Sequence, residues 1–337
     1  MHWTPTRAAA LDRLAEFLPR AGEAYRRSRN DDLGPDARTN TSCLSPWIAR
    51  RLLSEREVVE ATLAEHGPAR AETFVQEVVW RTYWKGWLAL RPSVWSAWRA
   101  SVGRDEARLG EDRWLAESHA RAVAGETGNP AFDAWARELA QHGFLHNHAR
   151  MWFASIWIFS LELPWSLGAA LFHERLLDAD PASNLLSWRW VAGLQTKGKA
   201  YVARRDNVLR CTVGRLDPGP DLDENPTPLQ ETEEHPRQAL PDADEAPVGG
   251  PVLWLLTVED LLVDDELVGD LDVGAALFVR RAEACSEDVA AFDEGALDDA
   301  AERLRARGVT DIARCDSAAV VDAVLATGLR NVVMAEA

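Results

Sequence analysis

One stretch limits what the rest of the chain can build. Residues 217–250 read DPGPDLDENPTPLQETEEHPRQALPDADEAPVGG, dense in Pro and acids and poor in apolar side chains. Such a segment buries too little apolar surface to offset its ordering entropy, so it predicts an extended, solvated linker. It also separates two different patterns. Before it, apolar residues recur at helical spacing in RAAALDRLAEFLPRAGEAY, SPWIARRLLSEREVVEATLAEHG, AETFVQEVVWRTYWKGWLAL and HNHARMWFASIWIFSLEL. After it, VLWLLT, AALFVRR, DIARC and NVVMAEA read as short buried strands, with LDDAAERLRARG and SAAVVDAVLATG as helices between them. That alternation predicts a small α/β unit with a parallel sheet. No GxGxxG or P-loop marks this unit as a nucleotide site. The predicted fold is therefore mainly α: a helical domain over 1–216, the linker over 217–250, and an α/β domain over 251–337.

Charge follows the same division. The net charge of −17 arises from 8 Lys and Arg against 29 Asp and Glu after residue 216, whereas residues 1–216 hold 29 against 25. The first part is thus mildly basic, and a polyanionic partner is compatible with it. Fourteen of the fifteen Trp also lie there, Trp254 being the exception. Such density calls for a core built around something large and flat, or for a wide helical core. No run of about 18 apolar residues predicts a membrane span. The opening MHWTPTRAAALDRLAEF lacks a basic head followed by an apolar stretch, so no secretory signal is expected. Cys43, Cys211, Cys285 and Cys315 are too scattered for a metal cluster or a disulfide framework. The expectation is a reduced, cytoplasmic, metal-free monomer.

Within the helical part, several polar groups sit where packing alone does not need them. Ser45 before Pro46 reads as a helix start and Gly67-Pro68 as a stop. The hydroxyls of TSCLS, Thr41 to Ser45, suit a phosphate at that start, and ordinary capping explains them equally. Helical spacing puts Glu77, Trp80, Arg81 and Trp84 on one face, where Glu77 and Arg81 form a candidate i,i+4 pair. In HNHARM, His146 and His148 do not share a face, and His142 with His146 lacks a third ligand, so a metal is not expected. Asn147, Arg150 and Met151 do share one. Asp178 and Asp180, in LLDADPASNLLSWRW, are expensive to bury without partners. Arg150 suits one of them, and the N–H groups of a bound heterocycle suit the other; a loop-level ion-pair cluster is the plainer alternative.

Taken together, AYRRSRN, TSCLSP, EVVWRTYW, GETGNPAFDAWARELAQHGFLHNHARM and LLDADPASNLLSWRWVAG stand in one order along residues 1 to about 200. That order resembles the FAD-binding helical domain of the DNA photolyase/cryptochrome family. The resemblance implies FAD as cofactor, with Asp178, Asp180 and Arg150 at the polar edge of its ring and Asn184 near its N5. It implies Tyr25, Thr41, Ser42, Leu44, Ser45, Phe74 and Arg81 on the phosphate and ribityl side. Trp188 matches the tryptophan next to the flavin in the family's electron-transfer chain, and Trp165 the second; Trp114 is the nearest candidate for the outer one. For substrate, it implies DNA containing pyrimidine dimers, with the dimer flipped into a pocket. Glu77 would be its hydrogen-bond partner, Trp80 and Trp190 the stacking walls, and Asn147 and Met151 the lining. Enzymes of the family that act on (6-4) photoproducts carry His at the positions of Asn147 and Met151, and plant-type cryptochromes carry Asp at that of Asn184. The expected activity is blue-light-driven cyclobutane-dimer splitting, the alternative a cryptochrome-like photoreceptor or redox protein.

The likeness has departures. The family's antenna α/β domain is expected to be missing ahead of the helical part, while VLWLLTVEDLLVDDEL faintly resembles its opening strand. The α/β domain is thus antenna-like, or an acidic surface for a protein partner. The aromatic run that usually follows the Trp pair is replaced by LQTKGKAYVARRDN, and His148 stands where Arg is usual.

Overall fold

The computed structural model describes residues 3–178, 180–242, 249–263, 271–283 and 285–334. Its helices are α1 (Arg7–Phe17), α2 (Glu23–Ser28), α3 (Ser45–Ala49), α4 (Glu55–Ala89), α5 (Pro92–Glu111), α6 (Arg113–Ala124), α7 (Pro130–His142), α8 (Asn147–Ser155), α9 (Trp165–Arg175), α10 (Pro181–Ala192), α11 (Arg205–Cys211), α12 (Glu287–Ala306) and α13 (Val320–Ala326). The strands are β1 (Val252–Thr257), β2 (Val273–Val279), β3 (Ile312–Cys315) and β4 (Asn331–Val333).

Helices begin where the sequence supplies acceptors. Asp112, Asn129 and Asp180 each accept the backbone N–H of the third residue on, from Leu115, Phe132 and Ser183. Those bonds satisfy amides that a helix start leaves open. Gly67 breaks α4 at φ 70° and ψ 164°, a conformation that favours glycine, so the expected stop at Gly67-Pro68 is a sharp break between two helical runs. The expected Ser45 cap is corrected. Ser45 is the first residue of α3, preceded by Leu44 without a side-chain cap, and α3 lasts five residues. The helix that follows takes its cap from Ser54, whose hydroxyl accepts the Glu57 N–H while the Glu57 carboxylate accepts the Ser54 N–H at 2.9 Å. This capping box, Ser-x-x-Glu at 54–57, was legible and overlooked.

The chain forms two compact units that interleave along the sequence. One comprises Phe17–Cys43 and Ala61–Leu240, the other His2–Glu16, Leu44–Glu60 and Pro241–Ala337. This grouping differs from the expected division at 216 and 251. In the first unit, α5 to α10 pack around Trp135, Trp152, Trp157 and Trp188, all fully buried. Phe132 stacks on Phe153 at 4.2 Å and Trp135 on Trp152 at 5.5 Å. Helix α8 runs on into a π-helical turn, Ile156–Ser160, that buries Trp157. The core is therefore a wide aromatic one built from the protein's own rings.

The segment expected to be a solvated linker is corrected as well. Over 217–240 it has no regular structure, yet it lies as a strap on the helical unit. Leu229 donates its N–H to the Ala192 carbonyl at 2.9 Å, Gln238 to that of Leu90 at 2.8 Å, and Leu222 and Leu229 pack on the core. Its few apolar side chains and a main-chain bond at either end offset the ordering cost that composition alone predicts. Residues 243–248 of the same expectation lie outside the described residues.

In the second unit all strands run parallel in the order β3-β2-β1-β4. The expected strands occupy the expected places; the tail of NVVMAEA beyond Met334 lies outside the described residues. α12 begins ten residues earlier than its apolar pattern suggested, capped by Ser286. The early segment 44–60 belongs to this unit through a buried ion pair. Arg50, fully buried, donates from Nε and Nη2 to Asp293 at 2.9 and 2.6 Å, and Arg281 donates to the other oxygen at 2.8 Å.

Candidate flavin site

The acids of the DADP turn are buried and each has an arginine. Asp178 is 4% exposed and lies 2.8 Å from Arg150 Nη1. Burial alone would push its carboxyl up, but the Arg150 guanidinium, with Arg81 nearby and the Asn184 amide, holds it below the usual carboxylate range. Asp180 is 3% exposed, accepts from Arg81 Nη2 at 2.5 Å, and caps α10 with its other oxygen. Asn184 braces the first pair: its amide nitrogen donates to Asp178 at 3.3 Å and its oxygen accepts from Arg150 at 3.3 Å. Arg150 is aimed by a further bond from Nε to the Leu145 carbonyl. Two charge pairs and an amide are thus fixed in one network, which keeps burial of the four ions tolerable.

This network borders a cleft of about 70 Å³ whose lining includes Asn147, Met151, Ser187 and Trp188. The buried indole N–H of Trp188 has no hydrogen-bond partner among the described residues. A second cleft, of about 440 Å³, is lined by Trp80, Tyr83, Trp84, Trp87, Trp190, Gln195 and Thr196, and Ser187 borders both. The expected stacking walls, Trp80 and Trp190, therefore face one space, and Asn147 and Met151 line the smaller one. Trp84, expected on the Trp80 face, is there; Tyr83 and Trp87 were missed, although their i+3 and i+7 spacing from Trp80 was visible.

Other expectations are redistributed. Arg81 pairs with Asp180, and Glu77 pairs with Arg29 instead of with Arg81. The Arg81 side chain is 11% exposed and lies against the buried Asp180, so the stronger partner wins over the neighbour one turn away. Arg29, in AYRRSRN, was not singled out because nothing local distinguishes it from Arg26 and Arg27. Tyr25 and Phe74 meet edge-on at 5.0 Å, and burial, with the Glu77 charge, pushes the Tyr25 hydroxyl well above its usual range. Thr41 and Ser42 lie on the loop before α3, with the Thr41 hydroxyl 3.5 Å from Cys43 Sγ; Leu44 and Ser45 belong to the second unit. The rings packed on Trp188 are Phe172 at 5.1 Å, Trp157 at 6.2 Å and Phe153 at 6.4 Å; Trp165 opens α9, half-buried. His146 donates from Nε2 to the Arg29 carbonyl, accepts the His148 N–H at Nδ1 and is fully enclosed, with burial lowering its pKa to about 4, so it is a neutral structural histidine. Among the described residues no group of three His, Cys, Asp or Glu side chains is placed to hold a metal ion, and no helix is long and apolar enough to cross a membrane.

Carboxylates, guanidiniums and an amide converging on a cleft beside a tryptophan suit a planar heterocycle with both donors and acceptors on its edge. The fold and this donor set define a helical flavin-binding domain. Residues 74–217 match the family model described as the FAD binding domain of DNA photolyase, and the cofactor of that domain is FAD. This stretch of the helical unit is accordingly similar to the FAD-binding domain of the photolyase/cryptochrome family. A deoxyribodipyrimidine photo-lyase of Agrobacterium fabrum is 36% identical over 195 residues, 57% of this chain and 39% of the relative. A chloroplastic/mitochondrial cryptochrome DASH of Oryza sativa subsp. japonica is 32% identical over 201 residues, 58% of this chain and 33% of its own. The crystal structure of a class III photolyase from Agrobacterium tumefaciens superposes with a TM-score of 0.50 at 32% identity, covering 62% of this chain and 45% of that one. The chain thus spans 33% to 45% of the length of these relatives.

Proposed function

We propose that this protein is a FAD-dependent, blue-light-driven photolyase-like lyase that splits cyclobutane pyrimidine dimers in DNA. The observation that carries the reading is the pair of clefts sharing Ser187. One is bordered by the Asp178–Arg150–Asn184 network, and the other is walled by Trp80 and Trp190. FAD held against this network would supply a photoexcitable electron donor for opening the cyclobutane ring. Asp178, Asp180 and Arg150 would hold the polar edge of its ring, and Asn184 would present its amide near N5. Tyr25, Thr41, Ser42, Leu44, Ser45, Phe74 and Arg81 would bind the phosphate and ribityl side. Trp188 and Trp165 would relay electrons to the cofactor. Glu77, paired with Arg29, would be a hydrogen-bond partner of the lesion, which Trp80 and Trp190 would sandwich while Asn147 and Met151 line the floor. The protein would act as a monomer, with the acidic α/β domain, antenna-like in its opening strand, free for a protein partner.

A photoreceptor without repair is the competing reading, favoured by the Glu231 carboxylate that already occupies Arg189 beside the aromatic cleft. Reconstitution with FAD followed by blue-light irradiation of a thymine-dimer oligonucleotide separates the two. Loss of dimers supports repair, and a yellow protein that leaves them intact moves the reading to sensing. Protein that refuses FAD sinks both.

A further inference from the structure

Behind the Asp178–Arg150 pair lies a second set of buried charges that the proposed chemistry does not use. Glu138, on α7, accepts from Arg38 Nη2, and the two side chains are 5% and 2% exposed. Asp32, fully buried, acts on Glu138 from beside it. Its own oxygens are engaged by Arg215 at 2.7 Å, the Trp135 indole N–H at 3.1 Å and the Gly34 N–H at 3.1 Å. A buried ion pair adds little net stability over apolar side chains of the same size, so a role in placing something else explains Arg38 and Glu138 better.

The pair reaches the flavin network through one ring. Phe144 is buried in the short connection between α7 and α8. The Arg38 guanidinium lies 4.8 Å from its centroid and the Arg150 guanidinium 5.4 Å, both within cation–π range. The connection is pinned on either side of the ring: Leu177 donates its N–H to the Gly143 carbonyl at 2.7 Å, and Arg150 Nε donates to the Leu145 carbonyl at 3.1 Å. Two cations on one ring repel each other, and each is offset by a carboxylate, Glu138 for Arg38 and Asp178 for Arg150. Neutralising Glu138 therefore sets the Arg38 charge against Arg150 and loosens the seat of both on the ring.

We infer that Glu138 and Arg38 are positioning residues for the cofactor: through Phe144 they hold the Arg150 guanidinium against Asp178, and the charge on Glu138 sets how firmly. This rests on the proposed placement of Arg150 at the flavin edge. A pH window follows. Burial outweighs the Arg38 charge and, with Asp32 raising and Arg215 lowering it further, pushes the Glu138 pKa up to about 7. Glu138 carries its charge above that value and loses it as the pH falls through it. The histidines around the cluster titrate lower: His146 is brought down to about 4, and burial lowers His142 and His148 as well. Asp178, held below the usual carboxylate range, stays ionised across the window.

Release of FAD from the loaded protein, followed by the rise in flavin fluorescence on dilution at pH 8 and at pH 6, tests this. The parent is expected to release FAD about threefold to tenfold faster at pH 6 than at pH 8. Glu138→Gln keeps the shape and removes the charge, and is expected to release it at both pH values as fast as the parent does at pH 6. Phe144→Leu is expected to speed release at pH 8 by a similar factor and to abolish the dependence on pH. Equal release by the parent at the two pH values overturns the inference, whatever the variants do. So does a Glu138→Gln protein that keeps the pH step or that is faster by one factor at both values, which is what a merely structural role would give. Protein that takes up no FAD at pH 8 sinks the flavin reading itself, whereas FAD held without a pH step sinks the positioning role alone.

Discussion

Asp178 and His146 show how burial acts in opposite senses on an acid and a base, raising the one and lowering the other. Asp178 has a depressed pKa, so its contribution is present above its unfolded value and is lost as acid takes the pH down through the folded one. His146 is depressed to about 4, so the unfolded chain binds its proton first. The folded state then loses stability as pH falls from about 6.5 towards 4, by up to about 3 kcal/mol. Urea midpoints across that range should fall with pH; a flat profile would mean that His146 is not enclosed as described. Asp178→Asn would leave Arg150 without its charge partner, and a loss of about 3 kcal/mol in the same assay is expected, together with weaker FAD retention. At this scale the sequence spoke clearly for the individual residues, since buried acids without partners are rare. Their partners it did not settle, because Arg29 and Glu77 are brought together by packing, and the local i,i+4 rule pointed to Arg81.

Elements were legible where punctuation is local. Asn129-Pro130 and Asp180-Pro181 start helices, Gly67-Pro68 breaks one, and strands β1 to β4 follow their apolar runs. The approach of α9 to α10 was not legible. Gly168 faces the Trp188 ring, where an added Cβ would overlap ring carbons and crowd Trp157. Gly168→Ala is expected to cost about 1–3 kcal/mol by overpacking. It should also change the near-ultraviolet circular dichroism of the tryptophans; an unaltered spectrum with unaltered stability would refute this contact. The strap over 217–240 was misread for a related reason. Composition reports the average solvation of a segment, whereas a few main-chain bonds and two leucines decide whether it docks.

For the whole molecule, the interleaved units mean that the helical part is not simply the first 216 residues. Segments 2–16 and 44–60 belong with the α/β sheet. A chain ended at residue 240 is expected to expose segment 44–60 to limited proteolysis, while the full chain resists; equal resistance would return the boundary to the linker. Arg50→Ala is expected to lower thermal stability by about 3 kcal/mol, since it strips the buried Asp293 of two charge-assisted bonds and leaves it, among the described residues, with Arg281. The sequence by itself determined the helical and α/β patterns and singled out the residues of the Asp178–Arg150–Asn184 network, because spacing along a helix and turn chemistry are properties of neighbours. The tertiary structure alone decided which arginine neutralises which acid, that Trp80 and Tyr83 of α4 stay exposed while Trp84 and Trp87 pack on the core, and that the acidic strap closes on Arg189. Those outcomes depend on contacts between residues far apart in the chain, whose energies exist only once the backbone has brought them together.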